Sequence, residues 1–214
     1  EAYVDAYLGP FDIRFGKQIL VWGRADAINP TNNLTPVDMR VRSPNEDDRR
    51  VGNLALKVTG FWAPFRVEAV WVPAWKEALL PDLPFPDVVT LSGWDRPDAN
   101  LDNGIWAGRV HLELPSFEGS LSALVGMAPF PGLHLNSFGV VDITPAVDVS
   151  FHPYRHMVFG GDFSTKVSDW FGLRGEGAYK RPITDGEPDY EPMAEAQWVL
   201  GVDREFGDVM VIVQ

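Results

Sequence analysis

The chain has 214 residues, contains no cysteine, and carries 18 basic against 30 acidic residues, a formal charge of −12. Without cysteine it can form no disulfide, thiolate nucleophile or iron–sulfur cluster. The acidic balance argues against nucleic acid as a partner, because phosphate binding needs clusters of Lys and Arg. No window approaches the roughly 18 consecutive apolar residues of a membrane-spanning helix, whereas a barrel strand needs only about 9–11 residues.

The first predicted element is a hairpin that turns at Gly9-Pro10 and is followed by a long connection, 23–50. In its second strand Lys17 falls on the apolar side. Either a snorkelling side chain or a β-bulge at Gly16 would account for this position.

Two further hairpins follow, with short turns at 62–64 and 115–119 and long connections over 76–103 and 129–150. The strand pattern is clearest in 104–114, where apolar side chains alternate with charged and polar ones. Successive side chains of a strand point to opposite faces, so such a strand has one apolar and one charged face.

The fourth hairpin turns at 168–170 and is followed by the connection 181–195, and the fifth turns at 206–208. The chain begins without Met and stops within the β-like run 209–214. We therefore expect a processed or partial piece of a longer protein.

Short turns that alternate with long connections are typical of outer-membrane barrels. A soluble β-sandwich would show the same alternation of faces, but charges of both signs at mid-strand suit a wet interior better than a dry core. Prolines spare the strand centres, and aromatic residues cluster near the strand ends, as at membrane interfaces. The sequence thus predicts an all-β fold: an antiparallel up-and-down transmembrane β-barrel of at least ten strands, with residues 1–214 as one domain of a larger barrel. The clustered aromatic residues are Phe61, Trp62, Phe65, Phe117, Trp170, Phe171 and Phe206 near the short turns, and Trp22, Trp75, Trp106, Tyr179 and Trp198 near the long connections.

The charged strand positions are the candidate functional residues, and we expect them to line the lumen. They could form a selectivity-setting array, or they could pair across strands and stiffen the wall, which their nearly balanced signs favour. The predicted lumen-lining residues are Asp12, Arg14, Lys57, Arg66, Glu68, Arg109, Glu113, Asp162, Lys166, Arg174, Glu176, Lys180 and Asp203.

Other site patterns are weak. Asp98, Asn100 and Asp102 resemble the start of a calcium loop, but the following Gly104 comes one place late and the twelfth position is Arg109, not Glu. An acidic solvated loop is the better interpretation. The histidines show no metal spacing, and no nucleophile elbow, phosphate loop or Ser/His pairing is evident. We therefore expect no cofactor, no bound metal and no enzymatic activity.

One resemblance adds to these expectations. The stretch 14–18, then Trp22-Gly23 and 29–31, resembles the opening strand and loop of proteobacterial outer-membrane porin-like proteins, a domain of unknown function similar in pattern to alginate-export-type barrels. The runs 173–179 and 198–203 also resemble strands of such barrels.

The resemblance implies a channel or transporter for small or hydrophobic molecules in the bacterial outer membrane. Its long loops would be extracellular, and its partners would be lipid and lipopolysaccharide, together with any other subunits of a membrane complex. Two alternatives stay open: a structural sleeve or anchor for a surface or electron-transfer complex with no open pore, and a soluble carbohydrate-binding β-domain.

Overall fold

The architecture comes from a computed structural model, and its regular secondary structure is almost entirely β-strand. No helix among the described residues is long and apolar enough to cross a membrane, and two short 3₁₀ turns lie at Glu46–Arg49 and Leu101–Asn103. The structure describes residues 1–24, 29–43, 46–81, 88–98, 100–141, 143–168, 170–183, 189–206 and 209–213. The strands are β1 (Ala2–Leu8), β2 (Phe11–Gln18), β3 (Asn53–Trp62), β4 (Phe65–Val72), β5 (Val89–Trp94), β6 (Ile105–Leu114), β7 (Phe117–Met127), β8 (Gly132–Val141), β9 (Thr144–His152), β10 (Arg155–Ser168), β11 (Phe171–Pro182), β12 (Glu195–Phe206) and β13 (Val209–Val213).

Ten of these strands form one large antiparallel sheet in the order β1-β2-β3-β4-β6-β7-β10-β11-β12-β13. The five hairpins predicted from the sequence are therefore confirmed. The pairing expected between 65–74 and 104–114 is also confirmed, since β4 runs antiparallel to β6 with Glu68 opposite Arg109.

The large sheet is open in the described part of the chain. β1 and β13 stand at its two ends and do not pair with each other. An all-β fold with a large antiparallel sheet is thus observed, whereas no closed barrel is found among the described residues.

The structure corrects two of the predicted long loops. Residues 76–103 contain β5, and residues 129–150 contain β8 and most of β9, which together form a separate three-stranded sheet. β5 pairs with β9 in parallel, and β8 pairs with β9 as a hairpin. The loop prediction for 129–150 failed because the whole stretch between two predicted strands of the large sheet was interpreted as a loop, although residues 133–141 have strand character.

The two faces of the large sheet differ sharply in exposure. On one face, here called the apolar face, Leu121 is 75% and Trp198 72% exposed. On the opposite polar face, Arg109 is only 8%, Asp162 6% and Glu176 5% exposed. This is the reverse of the pattern of a soluble protein, in which charged groups are exposed and apolar ones are buried.

The polar face is covered by the chain between β2 and β3. Residues 19–24 and 29–35, here called the inserted segment, fold back over the strands, and Leu20, Trp22 and Leu34 are buried. They pack with Trp75 and with apolar side chains of the sheet near its long-connection end. Part of the connection 23–50 therefore lies against the sheet, although it was expected to extend beyond the strand ends. The sheet residues of this core are Ala55, Val70, Val72, Ile105, Leu124, Met127, Val158 and Ala178.

This packing corrects part of the predicted aromatic pattern. Trp22 and Trp75 were expected at the outer interface, but both are buried in the core. Trp22 turns inward because β2 ends at Gln18 and the chain then folds over the polar face, and Trp75 packs in the same cluster. The register of β2 with both neighbours continues through Gly16 without a shift. A bulge at Gly16 is therefore excluded as the explanation for Lys17, which is exposed at the strand end.

Candidate functional site: the charged polar face

The charged residues predicted to line a lumen share one face of the large sheet, the polar face. Cross-strand partners face the same side, and the registers connect Asp5 to Arg14, Arg14 to Lys57, and so on to β12. The assignment of these charged residues to one common face, made from the sequence, is therefore confirmed across the sheet. The residues on this face are Asp12, Arg14, Lys57, Arg66, Glu68, Arg109, Glu113, Asp162, Lys166, Arg174, Glu176, Lys180 and Asp203.

The most buried charged cluster is centred on Asp162 of β10. Arg109 donates from Nη2 to Asp162 Oδ2 at 2.6 Å, and Arg24 of the inserted segment donates from Nε to Oδ1 at 2.7 Å. The hydroxyl of Ser120 also bonds to Oδ2 of the same carboxylate. Two guanidinium groups thus surround one buried carboxylate, and Arg24 extends the cluster through a 2.8 Å ion pair with Glu118.

A second cluster is centred on Glu68 of β4. Arg66 donates to Glu68 at 2.6 Å and to Glu113 at 2.9 Å. Nε2 of His111 lies 3.3 Å from Glu68, and Trp22 donates its indole N–H to the other oxygen at 3.2 Å.

The predicted single network of Arg66, Glu68, Arg109 and Glu113 is therefore only partly correct. Arg66, Glu68 and Glu113 are joined, but Arg109 pairs with Asp162 across β7 rather than with Glu113. The physical reason is reach, because the Arg109 guanidinium extends past Ser120, to which its Nε donates at 2.9 Å.

Glu176 of β11 anchors the inserted segment. Its Oε1 accepts from both the backbone N–H and the hydroxyl of Thr31, each at 2.9 Å, and its Oε2 accepts from the backbone N–H of Arg24 at 2.7 Å. Gly23, between Trp22 and Arg24, has a φ of +100°, and a Cβ there would lie 2.5 Å from Glu176. Glycine is therefore required at this close approach.

The remaining charged residues pair nearer the edges of the sheet. Arg14 bonds Asp5 at 2.7 Å, Arg174 bonds Asp203 at 2.5 Å, and Lys180 lies 3.7 Å from Glu195. Asp12 is half-buried and Lys166 is exposed on the same face. Most of the predicted lumen-lining residues that have a charged partner therefore form ion pairs within the sheet or with the inserted segment. Such pairing is what the wall-stiffening interpretation expected.

A cavity of about 400 Å³ lies between the inserted segment and the wall of β3, β4 and β6. Its lining includes Arg24, Lys57, Arg66 and Arg109, against the single carboxylate of Glu68. Basic groups thus predominate among the described residues that line this space, although the whole chain is acidic.

The calcium-like stretch has a different local role. The Asn100 side chain accepts from the Asn103 backbone N–H at 3.1 Å, and Asn103 donates to the Asp98 carbonyl at 2.9 Å. These bonds close the short 3₁₀ turn Leu101–Asn103. Among the described residues, no group of three or more His, Asp or Glu side chains could hold a metal ion.

The small sheet contains a Ser/His/Asp arrangement that the sequence did not reveal. Ser150 Oγ lies 2.9 Å from His152 Nε2, and His152 Nδ1 lies 2.8 Å from Asp95. Ser150 is only 6% exposed, however, and its hydroxyl also bonds Asn136 at 2.9 Å. A buried hydroxyl bonded to a neighbouring amide is not accessible to a substrate, so we interpret this arrangement as a cross-strand hydrogen-bond network.

The packing of the inserted segment against the polar face was not predicted from the sequence. The contacts of Trp22, Arg24 and Thr31 with the charged residues were therefore not predicted either. One signal was available: Leu20, Trp22 and Leu34 are large apolar residues in a stretch otherwise expected to be solvated. A run of such residues in a long connection indicates packing against the protein rather than exposure.

Comparisons of this chain with protein-family models, with curated proteins and with solved structures find no match.

Proposed function

We propose that this chain forms part of the wall of a bacterial outer-membrane β-barrel that acts as a porin-like channel or transporter for small or hydrophobic molecules. The observation that supports this most strongly is the reversed burial of the large sheet. Arg109, Asp162 and Glu176 are buried beneath the inserted segment, whereas many of the large apolar side chains on the opposite face are exposed.

The apolar face would be unfavourable in water. Monomeric soluble proteins rarely expose contiguous apolar patches larger than a few hundred Å². Burying one large aliphatic or aromatic side chain contributes about 1.5–3 kcal/mol. The apolar face presents many such side chains across all ten strands, so a hydrocarbon environment would stabilise it far better than water. The exposed members include Val4, Leu8, Phe15, Trp62, Phe65, Trp106, Val110, Phe117, Leu121, Phe159, Tyr179, Trp198 and Leu200.

The inserted segment bears on what such a channel would pass. It lies over the polar face near mid-strand, where it would narrow a lumen, and the basic groups beside it would favour anionic solutes. We propose that the cavity lined by Lys57, Arg66 and Arg109 is the constriction through which solutes pass.

A spin-label experiment tests the proposed membrane environment. Labels at Leu121 and Trp198 on the apolar face should collide preferentially with oxygen dissolved in lipid. A control label at Ser164, on the polar face, should collide preferentially with a water-soluble nickel chelate. Equal exposure of all three labels to the nickel chelate would refute the membrane assignment.

The alternative function is a structural barrel, a sleeve or anchor with no open pore. Leu34 is only 1% exposed, which indicates that the inserted segment is packed tightly and favours a plugged interior. Single-channel recording of the protein in planar bilayers distinguishes the two functions. Discrete conductance steps would support the channel, whereas insertion without conductance would support the sleeve.

The channel interpretation also predicts ion selectivity. Replacing both Arg66 and Arg109 by Gln removes two positive charges from the cavity lining, so the preference should shift toward cations. Lys76→Gln, at an exposed position outside the cavity, is the matched control and should leave the reversal potential unchanged. An unchanged reversal potential in the double variant would leave these residues a purely structural role.

A further inference from the structure

A second cavity, of about 320 Å³, lies at the end of the large sheet from which the long connections emerge. Here the polar face of β10, β11 and β12 contributes His156, Lys180 and Glu195. The inserted segment and the residues that follow it close the other side of this cavity. These residues are Asn29, Asn32, Asn33, Thr35, Val37, Met39, Arg49 and Arg50.

The polar atoms around this cavity are incompletely satisfied. Oδ1 of Asn32, Nε of Arg49 and Nε2 of His156 have no hydrogen-bond partner within the described part of the chain. Asn32 and His156 are at least nine-tenths buried. Buried polar atoms without partners are unfavourable, and several around one cavity indicate a site built to be filled by a polar molecule.

The charges define which molecule would fit. Lys180 lies 3.7 Å from Glu195, so these two charges largely offset each other. Among the described residues that line the cavity, Arg49, Arg50 and Lys180 are basic and Glu195 is acidic, so basic groups predominate. Guanidinium groups form paired charge-assisted hydrogen bonds with planar carboxylates, which gives geometric specificity as well as attraction.

The other lining groups indicate which chemical groups the ligand carries besides its charged one. Met39, Pro129 and Phe130 form an apolar part of the wall. Burial raises the pKa of Tyr154 to about 12, with Glu195 and Glu191 adding to the effect. The Tyr154 hydroxyl therefore stays protonated at neutral pH and can donate a hydrogen bond. The volume is at the small end for ligand pockets, which are roughly 300–1,000 Å³.

We infer that this cavity binds a small organic carboxylate, with its charged group toward Arg49 and Arg50 and its apolar part against Met39 and Phe130. The inference does not rest on the proposed membrane function, because every residue involved is placed by the fold itself. If the chain is a channel, the same site lies at the mouth of the lumen and would collect its solute there.

Titration calorimetry on the purified full chain tests the inference with acetate, hexanoate, benzoate and succinate, and with hexanamide and benzamide as uncharged counterparts. At least one carboxylate should bind with one-to-one stoichiometry, and its amide should bind about tenfold more weakly or not at all. Failure of all four carboxylates to bind, or equal binding of an acid and its amide, would overturn the inference. Tighter binding of inorganic phosphate than of any carboxylate would overturn the choice of ligand.

Two variants localise the binding. Arg49→Gln should weaken carboxylate binding about tenfold, because it removes a charge-assisted contact. Tyr154→Phe, which retains the ring, should weaken it about threefold. Arg42→Gln, at an exposed position in the same connection, is the matched control and should bind as the parent does. Equal weakening by Arg42→Gln and Arg49→Gln would indicate a general charge effect and would refute the site. If Arg49→Gln does not fold, the comparison of Tyr154→Phe with Arg42→Gln decides.

Discussion

At the scale of single residues, the most telling group is the carboxylate of Asp162. A buried ion is stable only when its attraction to partners offsets the lost hydration, and removing one partner leaves an uncompensated charge. Asp162 has two guanidinium partners and one hydroxyl partner. One guanidinium comes from the sheet and the other from the inserted segment, so this carboxylate joins the two layers of the molecule.

The first prediction concerns Arg109. Arg109→Gln should lower the free energy of unfolding by about 3 kcal/mol, the lower end for a broken buried pair, because Arg24 still contacts Asp162. Arg174→Gln is the control, since its pair with Asp203 is more exposed and should cost at most about 1 kcal/mol. Urea unfolding in detergent micelles measures both values. Equal losses would mean that burial of the Arg109 pair has no energetic consequence.

At the scale of elements, the inserted segment is defined by contacts at both its ends. Thr35 accepts a hydrogen bond from the Leu20 N–H and donates one to the Leu20 carbonyl, each at 2.8 Å. These two bonds close the segment into a loop with its own base. Glu176 then fixes the middle of that loop to β11 through Thr31. The segment is thus held to the wall by these polar contacts as well as by the buried apolar packing of Leu20, Trp22 and Leu34.

The second prediction follows from this attachment. Glu176→Gln should increase amide hydrogen exchange in residues 29–35, because the neutral amide replaces a carboxylate that accepts three hydrogen bonds. Peptides from β6 and β7 should keep their protection. Glu113→Gln, which alters a half-exposed carboxylate elsewhere on the polar face, is the matched control and should not affect 29–35. Increased exchange throughout the chain would indicate global destabilisation instead.

Some of these elements are predictable from the sequence and others are not. The alternation of apolar and charged residues predicted the strands of the large sheet and which side chains share each face. Neighbouring residues in a strand, such as Arg109 and Val110, point to opposite faces, so this assignment needs only the local sequence. The alternation did not predict the separate sheet of β5, β8 and β9, whose parallel pairing joins residues far apart in sequence. It also did not predict that Trp22 turns inward, since that depends on the shape of the polar face that receives it.

At the scale of the whole molecule, the large sheet has two distinct ends as well as two distinct faces. At one end are the short turns, such as residues 115–116. From the other end emerge the connection that contains the inserted segment, the connections that contain the small sheet, and the connection before β12. This asymmetry is typical of outer-membrane barrels, whose periplasmic turns are short and whose extracellular loops are long.

The third prediction concerns orientation. Met193→Cys, at a position 90% exposed in the connection before β12, should react with a membrane-impermeant maleimide on intact cells. Ser116→Cys, at the opposite end of the sheet, should react only after the outer membrane is permeabilised. Labelling of Ser116→Cys alone on intact cells would reverse the proposed orientation.

The fourth prediction concerns the two faces. Val110→Arg places a charge on the apolar face and should lower the free energy of unfolding in lipid by about 2–4 kcal/mol, if it lies near the bilayer midplane. Ser164→Arg on the polar face is the control and should cost much less. Unfolding by denaturant in lipid vesicles measures the difference. Similar costs at the two positions would mean that the apolar face does not contact hydrocarbon.

The bond between Thr31 and Glu176 also has a consequence for the order of folding. It joins residues 145 positions apart in the chain, and contacts of such long range are slow to form because the intervening chain must first be organised. Because the inserted segment bonds Asp162 of β10 and Glu176 of β11, we expect it to dock only after these two strands have paired, late in folding. A contact that forms after the transition state slows unfolding without speeding folding. Glu176→Gln should accordingly raise the unfolding rate and leave the folding rate unchanged in stopped-flow measurements.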